Sequence, residues 1–108
     1  MLPRKNRLNA KQFKHIYEKG VKFRGENGML IVLDEGQGNS KIGFVVSKKI
    51  GNAVQRHRMT RLLREIAKRT LESVSGRNMI YVAYKYCNEY EKLQKDFDKQ
   101  LKDSTSNT

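Results

Sequence analysis

Lys48-Lys-Ile-Gly-Asn-Ala-Val-Gln-Arg-His-Arg-Met-Thr-Arg-Leu-Leu-Arg-Glu-Ile-Ala-Lys-Arg69 is the stretch from which the rest of the chain can be read. It holds eight lysines and arginines against one acid, Glu65. Gly51-Asn52 breaks the chain, and Asn52 is placed to cap a helix over 53–72. At helical spacing Met59, Leu62, Leu63 and Ile66 share one stripe. His57, Arg61, Arg64 and Lys68 share the opposite one, flanked by Arg58 and Arg69. One side is made for a core and the other is a cationic ridge.

A helix face that is merely soluble interleaves Glu and Lys one turn apart. Here only Arg61 with Glu65 does so. Such a ridge repels itself unless a polyanion offsets the charge. The arginine bias suits phosphate, which a guanidinium binds through two hydrogen bonds. Lys48, Lys49 and the free N–H groups at the helix start add an anion cradle. The segment therefore points to nucleic acid. A helix lying on a membrane would need its apolar stripe for lipid, whereas this chain offers strands to cover it.

Before the stretch, Lys41–Ser47 reads as a strand with Ile42, Phe44 and Val46 on one face and Gly43, Val45 and Ser47 on the other. Residues 21–34 read as extended, strongest over Met29–Leu33. The Gly-rich run from Glu35 to Ser40 reads as a turn, so the two apolar runs are expected to form an antiparallel hairpin. A first helix spans 9–19. Asn9 and Gln12 form a capping box, Leu8 and Phe13 a hydrophobic staple, and Gly20 closes the helix in the left-handed conformation. After the stretch, Ser75-Gly76 ends the helix and Met79–Tyr84 is a strand. Asn88 and Glu91 suggest another capping box, and Tyr90, Leu93, Phe97 and Leu101 mark a last helix over 89–102. Residues 1–8 form a basic arm with Arg4, Lys5 and Arg7. Residues 1–102 make one domain, and 103–108 a polar tail expected to fray. The order is helix, two or three strands, helix, strand, helix (αβββαβα with three), an α+β two-layer sandwich with a small central sheet. The strand after the central helix is expected parallel to the one before it, with a right-handed crossover by default.

The formal net charge of the 108 residues is +12. Residues 1–88 carry 19 basic and 6 acidic side chains, while 89–108 carry 4 and 5, so the excess belongs to the folded body. That field attracts nucleic acid or an anionic membrane, and charge alone does not choose between them. Cys87 is the single cysteine, which excludes an intrachain disulfide and fits a reducing, cytoplasmic compartment. No signal peptide or membrane span is read at the start of the chain. One Cys and two His cannot close a zinc site. His15 and His57 have no nucleophile at a recognisable spacing, and no phosphate or dinucleotide loop occurs. Asp34, Glu35, Asp96 and Asp98 read as solvated carboxylates, His15 as a solvated helix residue, and Cys87 as packed. Phe13 and Tyr17 share a helix face, while Phe44, Tyr81 and Tyr84 lie on strands. Phe13 and Phe44 read as core, the tyrosines as part-exposed. Aromatic rings beside a cationic groove are what single-stranded RNA needs, with bases on the rings and phosphates along the basic edge.

The stretch from Lys48 to Glu65 resembles the signature of the protein subunit of bacterial ribonuclease P. That signature is a Lys-x-x-Gly-x-Ala-Val run, an Arg-Asn-Arg triplet, and a Lys/Arg-Arg-Leu-x-Arg-Glu helix. The resemblance extends over residues 4–101, through Arg7-Leu8, Phe13, Gly20, the strand before Asp34, Gly43–Lys49 and Ile80–Ala83. It implies an α+β sandwich with a left-handed βαβ crossover in place of the right-handed default, a fold shared with the second domain of a ribosomal protein. It also implies one protein joined to one catalytic RNA in an endonuclease that removes the 5′ leader from precursor transfer RNA. The RNA does the chemistry with Mg²⁺, which it mainly binds. Lys48, Lys49, Asn52, Arg56, His57, Arg58, Arg61, Arg64 and Lys68 would then face the catalytic RNA. Phe13, Tyr17 and Phe44 would line the leader cleft. Two positions depart from the family's pattern. His57 stands where the triplet usually has Asn, and Ile31 stands where some members place a cleft aromatic. A ribosomal or ribosome-associated RNA-binding module is the alternative. A protein-only nuclease is disfavoured, because carboxylates and histidines do not cluster.

Overall fold

The structure, a computed structural model, describes residues 8–72 and 75–106. Its elements are α1 (Ala10–Lys19), β1 (Val21–Arg24), β2 (Gly28–Asn39), β3 (Lys41–Val45), α2 (Ala53–Leu71), β4 (Ser75–Ala83) and α3 (Tyr90–Ser106), with a 3-10 turn at Lys48–Ile50. The element order αβββαβα is as the sequence predicts. The basic arm at Arg4, Lys5 and Arg7 lies outside the described residues.

Helix starts follow their side chains. Asn9 Oδ1 accepts from Gln12 N at 2.8 Å, and Gln12 Oε1 accepts from Asn9 N at 3.1 Å. The same exchange joins Asn52 and Gln55, at 2.9 and 3.0 Å. Gly20 differs from expectation: it is extended (φ −71°, ψ 157°), not left-handed. Its N–H donates to Ile16 O at 2.7 Å, and a Cβ here would meet the Ile31 side chain and the Ile16 carbonyl. Close approach, not positive φ, is what requires glycine. Ser75-Gly76 also moves: α2 ends at Leu71, and these two residues open β4. The first turn of α3 bonds back to Glu89, through Leu93 N at 3.1 Å, so the helix start lies one residue beyond the expected Asn88 cap.

The sheet order is β1-β2-β4-β3. Strand β4 is antiparallel to β2 and parallel to β3. The expected hairpin between β2 and β3 therefore does not form, because β4 lies between them. The reason is burial. Leu30, Ile31 and Val32 of β2 and Met79, Ile80 and Tyr81 of β4 are buried as unbroken runs, on both sheet faces. Such runs belong in the middle of a sheet, and the alternating β3 belongs at its edge. A parallel neighbour needs a crossover, which α2 supplies. The segment expected as a turn continues as β2 to Asn39, with a register shift after Asp34. Buried Ser40 makes the passage to β3, its Oγ accepting from Arg77 N at 3.2 Å. The true hairpin is β1–β2, pairing Val21 with Val32 through Arg24 with Met29.

Alternation divides the side chains between two clusters. Leu30, Val32, Ile42, Met79 and Tyr81 pack with Met59, Leu63, Ile66 and Ala67 of α2 and Leu93 and Phe97 of α3. These make the sandwich's two layers. On the reverse face, Ile31 and Ile80 pack with Ile16 of α1, and Leu8 and Phe13 close around them. Helix α3 runs past the predicted end at residue 102. Residues 103–106 are helical, so this part of the expected tail is ordered structure. Ser104 is buried, accepting from Arg77 Nη1 at 2.7 Å and donating to Leu101 O at 2.6 Å. Arg77 also holds Asp34 at 2.9 Å, so Asp34 is a strand-bracing ion-pair partner and not a free carboxylate.

Candidate RNA-binding surface

Helix α2 sorts its side chains as its sequence dictates. Met59, Leu63, Ile66 and Ala67 are buried and Leu62 packs partly against them. His57, Arg58, Arg61, Lys68 and Arg69 are exposed, with Arg56 and Arg64 half-buried. None of these cations is held by an ion pair among the described residues. Glu65 leaves Arg61 free although it stands one turn away. Arg69 leaves the ridge: its guanidinium lies 6.0 Å from the Tyr90 ring centroid of α3. The Arg56 Nε is buried without a hydrogen-bond partner.

The lead-in is equally ordered. Ile50 is buried and pins the 3-10 turn, which leaves Lys48 and Lys49 exposed just before the tip of α2. The Asn52 Oδ1 is spent on the cap, so this residue offers RNA its remaining amide donor and the geometry it imposes. Gln55 N–H is taken by the cap and Arg56 N–H by Asn52 O, leaving those of Ala53 and Val54 at the open tip. Val54 was not singled out by sequence, yet it is 67% exposed at this cationic end. Its position off the apolar stripe is the signal that would have found it.

The aromatic group divides. Phe13 and Tyr17 stack on α1, with centroids 6.4 Å apart and planes 17° from parallel. Phe13 rests on Gly43, where a Cβ would stand 3.0 Å from its ring. Tyr17 is 44% exposed. Phe44 does not join them. It packs half-buried against the α2–α3 side, on the opposite face of the sheet, because its parity matches Ile42 and Val46. The expected three-ring cleft therefore reduces to the α1 pair. Ile31 is fully buried beneath α1 and provides floor but no platform. Sequence reading also missed Lys22, whose Nζ lies 5.8 Å from the Tyr17 ring centroid. The register explains it: Lys22 pairs with Ile31 and so shares the α1 face. Tyr84 is exposed, as its hydroxyl suggested, whereas Tyr81 is fully buried. Burial, and next the Asp96 carboxylate, push the Tyr81 phenol above its ordinary pKa.

A small α+β body thus carries an unneutralised arginine ridge on one helix and a stacked aromatic pair on another, the arrangement of an RNA-binding protein. Residues 2–105 match the family model described as Ribonuclease P, and the chain belongs to that family. The ribonuclease P protein component of Bacillus cereus is 35% identical over 99 residues, spanning 87% of this chain and 86% of its own. That of Bacillus anthracis has the same identity over the same length. The fold is similar to that of the Staphylococcus aureus RNase P protein, with TM-score 0.78, 24% identity, and 92% and 94% of the two chains covered. It is also similar to the Thermotoga maritima protein, with TM-score 0.77, 23% identity, and coverage of 89% and 94%.

Proposed function

We propose that this protein is the RNA-binding subunit of ribonuclease P and assists a catalytic RNA in removing the 5′ leader of precursor transfer RNA. The observation that carries this is the α2 ridge. Arg58, Arg61 and Lys68 are held exposed and unpaired by a helix whose other side is core, on a chain of the Ribonuclease P family. In this reading the ridge, with Lys48, Lys49 and His57, faces the catalytic RNA. Phosphates along it release counterions and relieve the ridge's self-repulsion. Phe13 and Tyr17 stack bases of the single-stranded leader, and Lys22 meets its phosphates.

The chain's own contribution is binding and positioning. Among the described residues no group of three or more His, Cys, Asp or Glu side chains comes together as a metal-ligand set. In this reading Mg²⁺ is bound mainly by the RNA. Among the described residues no helix is long and apolar enough to cross a membrane. Cytoplasmic residence, with which the free, buried Cys87 is consistent, and one RNA per protein are parts of the proposal. No observation favours the ribosomal alternative. The test is recovery of tagged protein from cells and sequencing of the RNA that comes with it. Ribonuclease P RNA is the expected species; ribosomal RNA in its place would refute the assignment.

A further inference from the structure

A second cationic surface lies on the sheet face that α2 does not cover. Lys11, Lys14 and Tyr17 follow at intervals of three along α1. They form a slanting row that climbs from the flank of the aromatic pair to the side opposite buried Ile16. Lys11 and Lys14 are exposed, as are Lys22 and Arg24 of β1, which continue the row. The Lys22 Nζ lies 5.8 Å from the Tyr17 ring centroid. Arg24, two residues on, shares its face. Their strand partners, Ile31 and Met29, both belong to the cluster on the α1 side. Four cations thus flank the Tyr17 ring, two on the helix and two on the strand.

This row is not a balanced, solvated face. Among the described residues no ion pair holds any of the four cations, and Glu18 leaves Lys14 free although it stands one turn away. The next acid along the chain, Glu26, lies in a turn drawn toward α3. Asp96, read in the sequence as a solvated carboxylate, accepts there from Glu26 N at 3.0 Å and Asn27 N at 2.9 Å. Lys11 stands in the first turn of α1, which holds no acid. A cation at that end opposes the helix dipole and costs the helix stability. An anionic partner offsets both the dipole and the repulsion along the row.

The sheet separates this row from the α2 ridge. Helix α2 packs on the face of Leu30, Met79 and Tyr81, and α1 on the face of Ile31 and Ile80. The row is continuous instead with the Phe13–Tyr17 stack. Its partner therefore carries flat groups for the rings and repeated negative charge beyond them. An unpaired RNA strand has both.

We propose that the leader, once stacked on Phe13 and Tyr17, leaves the cleft over the outer side of α1. Lys22 and Arg24 hold phosphates beside the rings, and Lys14 and Lys11 hold those of the distal nucleotides. The inference rests on the leader-binding reading above and extends it to the path of longer leaders. The experiment uses the holoenzyme reconstituted with ribonuclease P RNA. Precursors with a short and with an extended leader are compared for wild type and for Lys11→Gln/Lys14→Gln. Affinity for the extended leader should fall several-fold, and its salt slope by about two units. Affinity for the short-leader precursor and for the catalytic RNA should not change. The melting temperature should hold or rise, because a cation that opposes the dipole is gone. An unchanged extended-leader affinity, an equal loss on both precursors, or a loss of catalytic RNA binding would each overturn the path. Tyr17→Ala, measured in parallel, separates the two claims. If it spares precursor binding, the leader-cleft reading fails and the path with it; if only the lysine variant is silent, the path alone fails.

Discussion

Arg61 stands in solvent with Glu65 one turn away and no ion pair between them. Its charge is therefore available, as is that of half-buried Arg64. Arg61→Ala or Arg64→Ala should each flatten the salt dependence of RNA binding by about one unit and leave the melting temperature nearly unchanged. A fall in melting temperature with intact RNA affinity would make the ridge structural. Phe44 is the contrasting residue. Because it packs on the α2–α3 side, Phe44→Ala should cost on the order of 2–3 kcal/mol in chemical unfolding, below a full core deletion. It should weaken precursor and mature transfer RNA equally. Tyr17→Ala should instead cost precursor binding selectively. Strand parity was readable in the sequence, so Phe44 could be grouped with Ile42 and Val46. Which of those faces α1 covers was not readable, because it depends on strand order. Asp98 adds a pH-dependent case. The residue is exposed, but partial desolvation by its neighbours raises its carboxyl pKa above the ordinary value, so ionising it costs a little folding stability. That cost is absent below the unfolded carboxylate's pKa and complete above the folded one. Asp98→Asn should therefore raise the melting temperature at neutral pH and not in acid, as differential scanning at two pH values would show.

The helices were the most legible elements. Both asparagine caps and the apolar stripes of α2 and α3 follow from local spacing, which needs no knowledge of the remaining chain. Asn52→Ala should cost about 1 kcal/mol in thermal unfolding, and it should loosen the Lys48–Ile50 lead-in that the capped end supports. What local spacing missed came from long-range pairing. The turn-like composition of residues 35–40 hid a strand that crosses over the start of β4. The polar end of α3 hid a helix, because its anchors are polar: Gln100 holds the β1–β2 hairpin and Ser104 meets Arg77. Apolar periodicity cannot register such anchors. The unbroken run Met79-Ile-Tyr-Val-Ala was the available sign that β4 is central and that β2 and β3 must part to admit it.

At the scale of the molecule, function was more legible than topology. Residues 1–88 carry a net +13, and the densest part of it lies on one helix whose opposite stripe is core. That arrangement can be read without knowing the strand order. The position of the aromatic pair on the reverse face could not. The sheet sets the ridge and the pair on opposite faces, with Lys48 and Lys49 following the strand whose Gly43 supports Phe13. One body can thus hold a catalytic RNA along α2 while keeping a single-stranded leader against α1. The most direct test is multiple-turnover cleavage of precursor transfer RNA at low Mg²⁺. Purified protein, bacterial ribonuclease P RNA, and the two together are assayed side by side. Cleavage at the leader junction should require the RNA and be strongly stimulated by the protein. Cleavage by the protein with RNA rigorously excluded, or no stimulation of the RNA, would contradict the account.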